Sequence, residues 1–159
     1  MNTPTEEENK LYESALSDLE KKQKDKELAF MNGKQVEIDY FHTLETSKSS
    51  NKNIFLLFYM DGCPGCTVIK YLINYNSEIQ EILKDYEVLL INMSKTVTQL
   101  SNKYNIYTYP SYFIIDGSEN ILKKNTGCFT KGGADNNLIN WFKLKINPPQ
   151  PQTKSSCST

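Results

Sequence analysis

Arginine is absent from this chain of 159 residues, whose basic side chains are all lysine. Bidentate recognition of phosphate and guanine leans on the guanidinium group, so the sequence argues against a nucleic-acid partner. A net charge of -1 and an isoelectric point near 5.9 supply no electrostatic attraction in its place. Long apolar runs are lacking too, and with them any segment that could cross a membrane as a helix. Met1-Asn2-Thr3-Pro4 leads directly into Glu6-Glu7-Glu8, without the pattern of a signal peptide. Histidine occurs once, at His42, on a segment expected to be surface helix. Four cysteines form neither a dense secreted framework nor a cysteine-poor cytosolic pattern. The length suits one domain of ordinary size with tails.

The most informative residues are Cys63-Pro64-Gly65-Cys66. They follow the apolar run of residues 54–59 and precede Val68-Ile69-Lys70-Tyr71-Leu72-Ile73, so a buried strand is expected to turn into a helix whose first turn carries two thiols. Unpaired N–H groups and the positive end of the helix dipole favour a thiolate there, lowering the pKa of the first cysteine. The second, one turn later, can attack a mixed disulfide formed by the first. Pro64 suits the first helical turn, where no N–H is needed. A zinc site would need two further ligands, and Cys128, Cys157 and His42 do not repeat the paired spacing. A purely structural bridge over so short a loop gains little entropy. Thiol–disulfide chemistry is the reading that remains.

Three regions are expected. Residues 1–33 form a charged, partly helical extension, with Leu11, Ala15, Leu16 and Leu19 on one helical face, read as a solvated spacer. Residues 34–146 form the domain. Residues 147–159, rich in Pro, Ser and Thr, form a disordered tail holding Cys157. Within the domain the pattern predicts a short strand over 35–38, a helix over 40–47, a strand over 53–59 and the cysteine-bearing helix over 64–75. A helical segment capped by Ser77 follows, then a strand over 86–92, a helix over 97–104, strands over 112–115 and 121–126 around an Asp116-Gly117 turn, and an amphipathic helix over 135–146.

This order, with C-x-x-C after an early central strand and Tyr109-Pro110 opening a later one, resembles the thioredoxin fold. The likeness covers roughly residues 36–145. Its anchors are Cys63-Pro64-Gly65-Cys66, Tyr109-Pro110 before Ser111-Tyr112-Phe113-Ile114, Asp116-Gly117, and Thr126-Gly127 before the last helix. The resemblance implies an α/β domain with a central mixed sheet of about four to five strands flanked by helices. It implies that Cys63 is the exposed nucleophile and Cys66 the more buried resolving thiol. Pro110 would be a cis-proline beside the disulfide, with the Tyr109 backbone pairing with an extended substrate segment. Gly127 would lie on the rim of the active surface, and Cys128 beside it would be either a small buried hydrophobe or an auxiliary thiol.

Departures from thioredoxin itself are specific. Gly62 stands where an aromatic residue precedes the first cysteine, Pro64-Gly65 reverses the usual dipeptide, and Leu57 occupies the position of a buried carboxylate. The chain looks more like the broader thioredoxin-like thiol–disulfide proteins, which favours an exported setting (periplasm or cell envelope) over the cytoplasm. Asp61 is read as capping or solvating the turn rather than acting as a base. The implied function is disulfide exchange with protein substrates and a redox partner protein, by a monomer, without metal or organic cofactor. A non-catalytic peptide-binding module is the alternative, separated by the Cys63 pKa: an ordinary value of about 8.5 favours the module.

Overall fold

The computed structural model describes residues 2–127 and 133–144. The fold is built on β1 (Asn53–Tyr59), whose five central residues are buried on both sides. Alternation along this strand divides the core. Phe55 and Leu57 join one apolar cluster, while Ile54, Leu56 and Phe58 join the other. β1 pairs in parallel with β2 (Tyr86–Asn92) and antiparallel with β3 (Ser111–Ile115), which pairs antiparallel with β4 (Ile121–Thr126). The sheet order is β2-β1-β3-β4.

One face of this sheet is covered by α2 (Pro64–Tyr75), α3 (Ser77–Leu83) and α5 (Ala134–Lys143). On the other lie α1 (Glu6–Ser50) and the single turn α4 (Leu100–Lys103). Asn76, rather than Ser77, caps α3: its side-chain oxygen accepts from the N–H groups of Glu78 and Ile79. The last helix ends at Lys143, with Leu144 exposed, and Ile146 and the tail fall outside the described residues.

The largest departure from expectation is at residues 35–38. The alternation Gln35-Val36-Glu37-Ile38 suggests a strand, yet these residues lie inside α1, which runs unbroken through the boundary expected at residue 33. Burial shows why the helix wins. Gly33, Tyr40, Leu44 and Ser47 turn inward at helical spacings, while Ile38 stays exposed. Gly33 is required by contact: a Cβ there would collide with the Val97 carbonyl. The same contact shortens the helix expected over 97–104. Val97 N–H donates to the Ala29 carbonyl at 3.1 Å, and the Asn32 amide donates to the Lys95 carbonyl at 2.9 Å. Residues 95–99 are thus held against α1, and helix begins only at Leu100, whose N–H is received by the Thr98 hydroxyl.

Candidate active site

β1 delivers the chain to the loop Met60-Asp61-Gly62, where Gly62 takes a left-handed φ of 73° that a side chain rarely adopts. The turn places Cys63 at the N-cap of α2 and Pro64 in its first turn. Cys63 and Cys66 are joined by a disulfide, with Cα atoms 5.2 Å apart. The Cys66 N–H donates to Cys63 Sγ at 3.2 Å, the place a capping oxygen takes in other helices. The two sulfurs differ in access. Cys63 is half-buried, whereas Cys66 is 1% exposed. Pro64 is exposed and Gly65 buried.

A second segment closes the site from across the fold. The Tyr109 carbonyl oxygen lies 3.6 Å from Cys63 Sγ. The Tyr109–Pro110 peptide bond is cis, and Pro110 is buried. Gly127, with φ of 92°, donates its N–H to the Pro110 carbonyl at 2.9 Å, so the end of β4 is fastened to the same loop. Cys63, Cys66, Tyr109, Pro110 and Gly127 thus share one end of the sheet. Cys128 and Cys157 lie outside the described residues. Partial burial raises the Tyr109 phenol above its ordinary pKa. Tyr107, two residues earlier, is 86% exposed.

Asp61 points toward β2 rather than serving as a free base. Its N–H donates to the Ser94 hydroxyl at 2.7 Å, and its carboxylate accepts from the Asn92 amide at 3.1 Å. The sequence pattern assigns no role of their own to the side chains of Asn92, Ser94 or Ser111. Ser111 is buried, and its hydroxyl donates to the Thr108 carbonyl at 2.6 Å, bracing the loop before Pro110. The signal available was small polar residues next to strand ends, where side chains take over backbone partners. Lys70 sets its ammonium 4.2 Å from the centre of the Tyr59 ring, also unanticipated. Leu57 is fully buried in the apolar cluster with Phe55, Ile69 and Tyr112. His42 sits exposed on α1, away from these residues. Among the described residues no group of three or more His, Cys, Asp or Glu side chains could hold a metal ion, and no helix is long and apolar enough to cross a membrane.

Solved structures share this fold. The disulphide isomerase from Xylella fastidiosa Temecula1 matches with a TM-score of 0.55 at 20% identity, over 67% of this chain and 87% of that one. The DsbD C-terminal domain of Neisseria meningitidis matches in its reduced form with a TM-score of 0.54 at 16% identity, over 64% and 90% of the two chains. Its oxidised form matches with a TM-score of 0.52. This chain has the thioredoxin fold. No family model matches the sequence, and no curated protein matches it. In this thioredoxin-fold chain, the four described strands take the sheet at the lower end of the expected four to five, because the segment expected as an extra strand is spent in α1.

Proposed function

We propose that this protein is a thiol–disulfide oxidoreductase acting on protein substrates. The observation that carries the reading is the inequality within one disulfide: a half-exposed Cys63 at a helix N-cap, bonded to a sealed Cys66 whose N–H points at the Cys63 sulfur. That N–H bond strengthens when the sulfur is charged, so it favours a Cys63 thiolate once the pair is reduced. The thiolate attacks one sulfur of a substrate disulfide. A Cys63–substrate bond forms and the other substrate sulfur leaves as thiolate. Cys66 then attacks Cys63 Sγ, its proton passing to the departing thiolate, and the second substrate sulfur is released. Two electrons move from the cysteine pair to the substrate, and the reverse sequence oxidises a dithiol. Potentials of such pairs range from about -270 to about -120 mV, and the direction in the cell follows from where this pair falls.

Tyr109, Pro110 and Gly127 are assigned to substrate holding, with the Tyr109 main chain beside the attacked sulfur. An exported setting suits a chain with Leu57 where a rapidly cycling thioredoxin carries a carboxylate. The assignment is tested in a background with Cys128 and Cys157 replaced by serine, so that only the pair reports. Reduced Cys63 should alkylate faster than Cys66 at neutral pH, Cys66→Ser should trap mixed disulfides, and Cys63→Ser should trap none. Equal alkylation rates with no trapped adduct in either variant would overturn it, and leave a peptide-binding module.

A further inference from the structure

The first half of α1 lies outside the core: every residue from Asn2 to Leu28 is exposed, and Ala29 is the first to lose exposure. Helices of this length draw most of their stability from packing an amphipathic face, so an arm with no packing partner is anomalous. Its register is set by the half that does pack. Among its buried or half-buried residues, Ala29, Gly33, Val36, Tyr40, Thr43 and Ser47 follow alternating spacings of four and three, with Asn32, Glu37, Leu44 and Thr46 beside that line. Continuing those spacings toward the N-terminus reaches Lys26, Lys22, Leu19, Ala15, Tyr12 and Glu8. The line that faces the domain therefore continues onto the arm with Tyr12, Ala15 and Leu19 in its middle, flanked by Glu8 on one side and Lys22 and Lys26 on the other, and Tyr12 is 66% and Leu19 61% exposed.

We propose that this arm pairs with the same arm of a second copy, antiparallel, across a two-fold axis at Ser17. Charge selects the orientation. Antiparallel pairing about Ser17 sets Glu8 against the second copy's Lys26, Tyr12 against Lys22, and Ala15 against Leu19. Opposite charges meet at the ends, an ammonium faces a phenol ring, and the apolar layers meet in the middle. Parallel pairing would stack Glu8 on Glu8, Lys22 on Lys22 and Lys26 on Lys26, which costs stability. Length agrees as well. In the antiparallel register the second copy's helix cap at Thr5 falls opposite Ala29, the residue at which the chain's own domain takes over the seam. The arm is covered end to end with no overlap, and the result is a C2 dimer that holds two redox domains apart at opposite ends. This departs from the monomer expected from the sequence and is independent of the redox reading.

Sedimentation equilibrium of the full chain should give a concentration-dependent dimer mass. Leu19→Glu, far from the domain, should return the monomer mass while thermal unfolding of the domain and thiol exchange stay as in the parent. Zero-length carbodiimide coupling supplies the orientation. Glu8 and Lys26 of one helix are about 27 Å apart along its axis, so a Glu8–Lys26 adduct must join two chains. Such adducts in the dimer band are expected. A monomer mass at every concentration, a dimer that survives Leu19→Glu, or a dimer without Glu8–Lys26 adducts would each overturn the proposal.

Discussion

The two faces of the sheet solve the same packing problem with different chemistry. On the redox side, Ile69, Leu72 and Ile73 of α2 meet Phe55, Leu57 and Tyr112 through apolar contact. The polar atoms there belong to the β4 side. Asn125 donates to the Tyr112 hydroxyl, and the Lys123 ammonium donates to the carbonyls of Trp141 and Phe142 at the end of α5. On the α1 side, the Tyr40 and Tyr104 hydroxyls meet at 2.5 Å inside the core, Tyr40 reaches the Glu119 carboxylate at 2.7 Å, and Lys103 pairs with the same carboxylate. Directional bonds inside the core fix α1, while the buried face of α2 meets the sheet through apolar side chains. The difference puts the Tyr40–Glu119–Lys103 network on the α1 face and leaves Leu57, on the opposite face, among apolar side chains.

Substitutions on the two faces sharpen that contrast. The largest effect is expected at Leu57→Asp, which puts a carboxylate into the apolar cluster with Phe55 and Ile69. It should cost at least the ~2–5 kcal/mol of truncating a buried leucine, with the desolvated charge adding to the loss. Urea unfolding of the oxidised protein measures it, and a small shift in midpoint would show that water reaches this face. Next comes Gly33→Ala, which drives a methyl group into the Val97 carbonyl. A loss of about 1–3 kcal/mol is expected, because the obstacle is backbone rather than a movable side-chain end. Tyr40→Phe keeps the ring but removes the hydroxyl shared by Tyr104 and Glu119, with an expected cost of about 1–2 kcal/mol. Thermal unfolding at neutral pH reports both, and Cys63 alkylation should be unchanged in Tyr40→Phe.

The smallest effect is a pH dependence. The Lys103 ammonium, then the Tyr40 hydroxyl, hold the Glu119 carboxyl below its ordinary value. A carboxylate with a depressed folded pKa binds fewer protons folded than unfolded across that interval. Its stabilisation is therefore complete above the unfolded value of about 4.3 and is lost as pH falls through the folded one. Glu119→Gln should flatten the stability profile below that pH relative to the parent. Parallel profiles for the two proteins would show that the network draws nothing from ionisation.

Legibility in the sequence followed the range of the forces involved. The bounds of β1, α2 and β2 coincide with those read from apolar runs and their flanking turn residues, and those of β4 with its reading as hairpin partner of β3 across the Asp116-Gly117 turn. Cys63 and Cys66 are adjacent through their motif alone. The stretch 35–38 was misread as strand because its local alternation is genuine, while the helix is decided by contacts with residues 95–99, some sixty positions away. The 97–104 helix was overextended for the same reason, seen from the other partner. The approach of Tyr109 to Cys63 lies beyond any local pattern, since it depends on how β1 and β3 pair. Only the family resemblance supplied that expectation.

Mechanically, the contact at Gly33 makes α1 a lever. Its 45 residues span about 67 Å at the usual rise per residue, and the loop that grips Ala29, Asn32 and Gly33 is the fulcrum. Because a side chain larger than hydrogen cannot pass Val97, the helix cannot slide by a turn to relieve a load on its arm. The load passes instead into residues 95–97, and from there along the chain to Ser94 and Asn92. Both are bonded to Asp61, two residues before Cys63. The grip on α1 and the brace on the Asp61 turn are thus borne by one continuous stretch of chain, residues 92–97.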